Sequence, residues 1–266
     1  MSEQNYREQV RRDVERTGLK KEQKECVIQR ICNVLDHVPE LHYYQGFHDV
    51  AVHCASEDDL EDLALLCLRD FMTPEIEPTL AVLALLPELI SIADSRLDAI
   101  MRTVPEPHFA LAPLLTLFGH NTESNAMLES VQLKVEQYGL GYALYLYTAV
   151  MMYRRDEIVE QATGEPPEVV HSILSKAGNS LDGIDPDLLF KSADTLRIRI
   201  PLSRLPSYRK LSRHSAVKTG SLIPSEQARR DLIELSRPPS DGRRRRIAVA
   251  VVVVVVGFLL QRARYP

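Results

Sequence analysis

The densest set of reactive groups lies in Leu41-His-Tyr-Tyr-Gln-Gly-Phe-His-Asp49. It follows the break at Pro39 and puts an aromatic pair and a Gln-Gly step at a helix entrance. Glycine lets the backbone come close to a partner, leaving the Gln45 carboxamide at the edge. A carboxamide both donates and accepts hydrogen bonds, which is what orienting an attacking water in phosphoryl transfer requires. Upstream lies Val10-Arg-Arg-Asp-Val-Glu-Arg-Thr17. A spacing of three puts Val10, Asp13 and Arg16 along one helix face, with Asp13 able to hold the Arg16 rotamer. Arg16 comes just before Gly18, so its guanidinium can project past the helix end. A charged helix with solvated arginines is the plainer reading of that segment.

Other constellations are weaker. His37, His42, His48 and His53 cluster in sequence, but His48 and His53 fall on different helix faces and there is no HExxH, so no metal is expected. The four cysteines form no CxxC, which speaks against structural zinc. With neither GxGxxG nor GxxxxGK[ST], the chain is not itself a nucleotidase by those routes. Glu57-Asp-Asp-Leu-Glu-Asp62 reads as a solvated first helical turn favoured by the helix dipole, and its ligand pattern is not that of a calcium loop.

Helices must position these groups. Apolar residues recur at three- and four-residue spacing over Gln9–Arg16, Glu22–His37, Gly46–Ala55, Leu60–Phe71, Thr79–Arg102, Pro107–Phe118, Ser124–Tyr138 and Leu140–Gln161. Gly18, Pro39, Pro74, Pro78, Pro105, Gly119 and Gly139 punctuate the joins. Strict alternation is scarce, so an all-α domain is expected over residues 4–196. A chain of 266 residues, 45% hydrophobic, has material for a sizeable core.

The formal net charge of −5 is unevenly spread. Fifteen basic against five acidic residues give 191–246 a charge of +10, and Arg262 and Arg264 add +2, so residues 1–190 carry −17. An acidic body with a basic tail is a poor match for nucleic acid and suits a tail near an anionic membrane. Residues 197–242, rich in Ser, Pro and Arg, read as a flexible basic linker with at most one short helix near Ser225–Leu235. Residues 243–266 follow as a membrane anchor. Four arginines, 243–246, precede the 14-residue apolar run 247–260. That run is shorter than the ~20 residues of a straight span, so snorkelling and local thinning would absorb the mismatch. A buried valine-rich strand is the alternative, but flanking arginines do not suit a core strand. Arginines on the cytosolic side would make this a single-pass tail anchor with the bulk of the chain in the cytosol. The short run fits the thinner endoplasmic reticulum bilayer best.

Taken together, the two reactive segments resemble the TBC-domain family of Rab GTPase-activating proteins. Val10, Asp13, Arg16 and Thr17 match its first motif, and Tyr43, Gln45 and Gly46, with Asp49 following, match its second. Leu68-Arg-Asp-Phe-Met72, Phe109-Ala-Leu111, Phe118-Gly-His120 and 144–156 extend the likeness. The combination looks most like the tail-anchored branch at the endoplasmic reticulum, acting on Rabs of early secretory traffic. The resemblance implies an all-α TBC-like domain, a Rab in its GTP form as partner, and two groups donated in trans. Arg16 would be the arginine finger and Gln45 the glutamine finger, with Asp13 holding Arg16, and Tyr43, Gly46 and Asp49 supporting the Gln45 loop. No cofactor of its own is implied, since Mg2+ and GTP travel with the Rab. Two other readings stay open: a membrane-tethered Rab-binding scaffold without activating capacity, and a tail that itself shapes or contacts the membrane.

Overall fold

The computed structural model describes residues 3–104 and 106–237. The expected anchor, 243–266 with its apolar run 247–260, lies outside the described residues. Among the described residues no helix is long and apolar enough to cross a membrane.

The body begins with α1 (Glu3–Glu15), α2 (Lys21–His37), the short α3 (Phe47–Ala51) and α4 (Glu57–Asp62). Then come α5 (Glu77–Leu83), α6 (Leu85–Ala93), α7 (Ser95–Met101), α8 (Leu111–Leu115) and α9 (Asn125–Tyr138). The chain continues through α10 (Gly141–Tyr153), α11 (Arg155–Ala162), α12 (Pro167–Gly178), α13 (Pro186–Arg199), α14 (Ala216–Thr219) and α15 (Ser225–Leu235). Every regular element of the described residues is helical, as the periodicity demands.

Helix α10 is the core. Every residue from Gly141 to Met151 is buried, so it has no polar face and must be enclosed on all sides. Helices α6, α9, α12 and α13 pack around it. Close approach of α12 depends on Gly178. A methyl group there would stand 2.3 Å from the Tyr147 hydroxyl oxygen and 2.6 Å from its ring. Tyr147 is fully buried and cannot swing aside. Gly178→Ala should therefore cost about 1–3 kcal/mol through overpacking, read as a lower denaturant midpoint at unchanged slope.

Several expected helices are broken by local chemistry. The stretch 79–102 divides at Ala84, because Pro87 has no N–H for the Leu83 carbonyl and its ring would clash with it. It divides again at Asp94, whose carboxylate accepts from the Arg96 and Leu97 amides as an N-cap. Beyond Asp62 the 60–71 stretch widens into a π-turn, Leu63–Cys67, closed by the Leu68 amide on the Leu63 carbonyl. The 140–161 stretch turns at Arg154, whose guanidinium caps the end of α12 by donating to the Ala177 and Asp182 carbonyls.

The expected flexible linker is corrected over its described part. Residues 202–235 fold onto the body, burying Leu202, Leu205, Leu211, Ala216, Leu232 and Leu235. Two short 3-10 turns, Leu202–Arg204 and Pro206–Lys210, lead into α14 and α15. Prolines 201 and 206 and the uneven leucine spacing hide this packing from a search for helical periodicity. Its partners are polar groups far away in sequence. Glu88 accepts from the Ser207 amide and hydroxyl, and the Asp70 carboxylate accepts from the Ala216 amide at 2.6 Å. The helix expected near Ser225–Leu235 is present as α15, but the stretch holds more than that one, since α13 runs on to Arg199 and α14 lies between.

Candidate functional site

The end of α1 carries the first reactive group. Val10 is fully buried and Asp13 nearly so, which fixes that face of the helix inward. Arg16 follows the last helical residue and keeps 43% of its side chain exposed, 3.6 Å from the Asp13 carboxylate. The Thr17 hydroxyl donates to the Val14 carbonyl at 2.7 Å and closes the helix end. The guanidinium is thus held through Nη1 while much of the side chain stays exposed.

The 41–49 segment supplies the second group. The Tyr43 hydroxyl donates to Asp13 Oδ2 at 3.1 Å, a buried hydrogen bond joining positions thirty residues apart. It fastens the loop bearing Gln45 to the helix bearing Arg16. Gln45 is exposed. Gly46 then turns the chain into α3 at φ 109°, a left-handed conformation open to glycine. A methyl there would also meet the Thr116 side chain at 3.0 Å. Among the described residues no hydrogen bond joins Arg16 to Gln45. Both groups project from one buttressed corner, and the bond that relates them runs through Asp13 and Tyr43.

Polar contacts continue inward from Tyr43. Its oxygen lies 3.4 Å from His48 Nδ1, and His48 Nε2 lies 3.3 Å from Asp49 Oδ1. The other Asp49 oxygen meets His120 Nδ1 at 3.0 Å. Burial pushes the Tyr43 hydroxyl well above its ordinary range, and Asp13 beside it pushes the same way. Tyr43 is therefore neutral at any physiological pH and remains a donor. Burial lowers His48, against the opposing pull of Asp49 and Asp13.

A turn after α8 braces this corner, and the sequence alone did not point to it. The Phe118 amide reaches the Pro113 carbonyl at 2.8 Å and the Leu117 amide reaches Leu114 at 3.4 Å. This pairing closes a helix with a left-handed residue, usually glycine. Here Leu117 takes φ 47° and Phe118 φ 68°, a strain of about 1–2 kcal/mol per residue. Burial holds it: Phe118 is fully enclosed and stacks on Tyr147 with ring centroids 6.4 Å apart. The turn presents the Leu115 carbonyl to the Tyr44 hydroxyl at 2.7 Å. It also sets Gly119 so near α3 that a methyl would lie 3.1 Å from the Asp49 carbonyl. Sequence reasoning found Asp13, Arg16, Tyr43, Gln45, Gly46 and Asp49, and missed the bracing by Tyr44, Thr116, Gly119 and His120. The only available signal was the Phe-Gly-His run at 118–120.

An all-helical domain with an exposed arginine held by Asp13 and an exposed carboxamide two residues after Tyr43 has relatives of known kind. The chain is 30% identical to TBC1 domain family member 20 of Mus musculus over 207 residues, 73% of this chain and 48% of that protein. It is 28% identical to GTPase-activating protein gyp10 of Schizosaccharomyces pombe over 183 residues, 65% of this chain and 48% of that one. Against GTPase-activating protein GYP8 of Saccharomyces cerevisiae the identity is 24% over 182 residues, 54% of this chain and 37% of that one. The chain spans about half the length of the curated relatives it matches. No family model matches it. These relatives make the chain a homologue of TBC1 domain family member 20 and of two yeast GTPase-activating proteins over the matched stretch.

Proposed function

We propose that this protein activates GTP hydrolysis on a Rab GTPase of early secretory traffic, lending it two catalytic groups. Arg16 neutralises charge developing on the transferring phosphoryl group, and Gln45 positions the attacking water. The observation that carries this reading is the buried Tyr43–Asp13 hydrogen bond, which ties two exposed groups of the right chemistry to one rigid corner. Fixed positions matter because phosphoryl transfer is accelerated by placement and electrostatics rather than by covalent chemistry. The names of the two yeast relatives, both GTPase-activating proteins, support an activating role. GTP and Mg2+ come with the Rab, so the chain needs no cofactor of its own. The run 247–260 would hold the protein at the endoplasmic reticulum membrane as a single-pass tail anchor, with the body in the cytosol.

Single-turnover GTP hydrolysis across a panel of Rabs tests the reading. Acceleration of one early secretory Rab by the wild-type chain is expected. Gln45→Ala should lose about 10²-fold or more of it, the scale of a positioned polar group aimed at the reacting centre. A folded chain that binds a Rab in its GTP form and accelerates none would leave a membrane-tethered scaffold in place of an activator.

A further inference from the structure

The contacts around Tyr43 and His48 ask for more protons than a neutral ring supplies. Tyr43 has one hydroxyl proton, donated to Asp13 Oδ2 at 3.1 Å. Its oxygen then offers only lone pairs to His48 Nδ1 at 3.4 Å, so that contact is a hydrogen bond only if Nδ1 is protonated. His48 Nε2 faces the Asp49 carboxylate at 3.3 Å, which also only accepts. Both contacts are met by an imidazolium and only one by a neutral imidazole. With Nε2–H on Asp49, a bare Nδ1 becomes a second acceptor for the Tyr43 hydroxyl. It then competes with Asp13, the carboxylate that holds Arg16.

We propose that His48 is a positioning residue whose protonation decides which acceptor the Tyr43 hydroxyl takes, and thereby how firmly Asp13 holds the Arg16 guanidinium. Protonated His48 cannot accept, so the Tyr43 proton is committed to Asp13 and the arginine is fixed. Neutral His48 divides that proton between two acceptors and loosens the arginine. The charged and titratable groups facing the ring are Asp13 and Arg16 at the end of α1, Tyr43 in the loop, Asp49 on α3 and His120 beyond the 115–119 turn. The two carboxylates favour the imidazolium, whereas burial, Arg16 and His120 oppose it. The ring is therefore poised to gain a proton when the negative charge of bound GTP phosphates comes up to Arg16. This inference rests on the activator reading for its consequence and on the free protein for its geometry.

Two measurements on the full chain separate these. The first is the ratio of stimulated to unstimulated single-turnover hydrolysis across pH, for wild type and His48→Gln. The glutamine amide can still donate to Asp49 but puts no acceptor at the Nδ1 position. For wild type this ratio should fall about tenfold from ~pH 5 to ~pH 7, the worth of roughly one hydrogen bond to a charged group, the window lying below the ordinary histidine range because burial lowers His48. For His48→Gln, shown by thermal melting to be folded, it should be flat. Parallel profiles for the two proteins would overturn the proposal. The second measurement follows the His48 ring nitrogens by NMR in the free protein, with no GTPase present. Asp13→Asn removes a negative charge and should move the His48 titration to lower pH, whereas an unmoved titration would overturn the coupling. Absence of acceleration at every pH would sink the activator reading, and the ring titration would still decide whether Asp13 and His48 are linked.

Discussion

Replacing Arg16 by alanine is expected to slow stimulated GTP hydrolysis by ~10³–10⁵-fold, the usual worth of an arginine supplied in trans. At 1.36 kcal/mol per decade that is roughly 4–7 kcal/mol of transition-state stabilisation. The loss should fall on the chemical step, because the charge that Arg16 meets develops only as the phosphoryl group transfers. Affinity for the GTP-bound partner should change far less. The fold should be unaffected, since the side chain is 43% exposed and its Asp13 partner keeps the Tyr43 hydrogen bond. Arg16→Lys should restore little, because a compact ammonium cannot reproduce the planar fork of guanidinium donors. Single-turnover rates with matched binding data check this: an Arg16→Ala chain that bound normally and hydrolysed within tenfold of wild type would remove Arg16 from the mechanism.

The largest effect on stability is expected at Arg69. It is completely buried, and its guanidinium donates to the Leu65 and Leu66 carbonyls at 3.0 and 2.7 Å and to the His214 carbonyl at 3.1 Å. It also bonds the Thr219 hydroxyl and lies 4.0 Å from Asp231. One side chain thus fastens the π-turn to the 202–235 segment. Arg69→Met keeps most of the volume and strips the charge, leaving the Leu65, Leu66 and His214 carbonyls without their donor and Asp231 without the nearby guanidinium. Removing one side of a buried ionic cluster costs about 3–5 kcal/mol. Denaturant unfolding should show that loss, and proteolysis should reach the 202–235 segment first.

Asp70 gives the same region a pH signature. Burial raises its carboxyl from the ordinary range to about 6, against the Ala216 amide, Ser215 and Arg69, which pull it down. Its Oδ1 has no hydrogen-bond partner. Because the folded value lies above the unfolded one, the native state binds the extra proton. The associated stability is fully present below the unfolded value and is lost as pH rises through about 6.

Much of the site was legible because its information is local. Three-residue spacing places Val10, Asp13 and Arg16 on one face wherever a helix forms, and Gly46 announces a backbone conformation that other residues resist. The role of His48 was not legible. Its partners Tyr43 and Asp13 are five and thirty-five residues away, and only folding decides whether a histidine near a tyrosine faces it. The strained Leu117–Phe118 turn was not legible in its own residues either, since neither favours positive φ, and burial and the closing hydrogen bonds hold them there.

The chain's periodicity, prolines and glycines determined that it is helical, where α2, α3, α9, α10 and α15 begin, and that Arg16 and Gln45 lie at helix ends. These properties follow from the geometry of a few neighbouring residues. Tertiary structure decided that residues 202–235 join the core, that Arg69 and Asp70 meet them, and that Asp13, Tyr43, His48, Asp49 and His120 form one continuous contact chain. These depend on groups brought together from as far apart in the chain as Arg69 and Asp231. Their pairing is chosen by the burial of distant apolar faces, which local spacing does not encode.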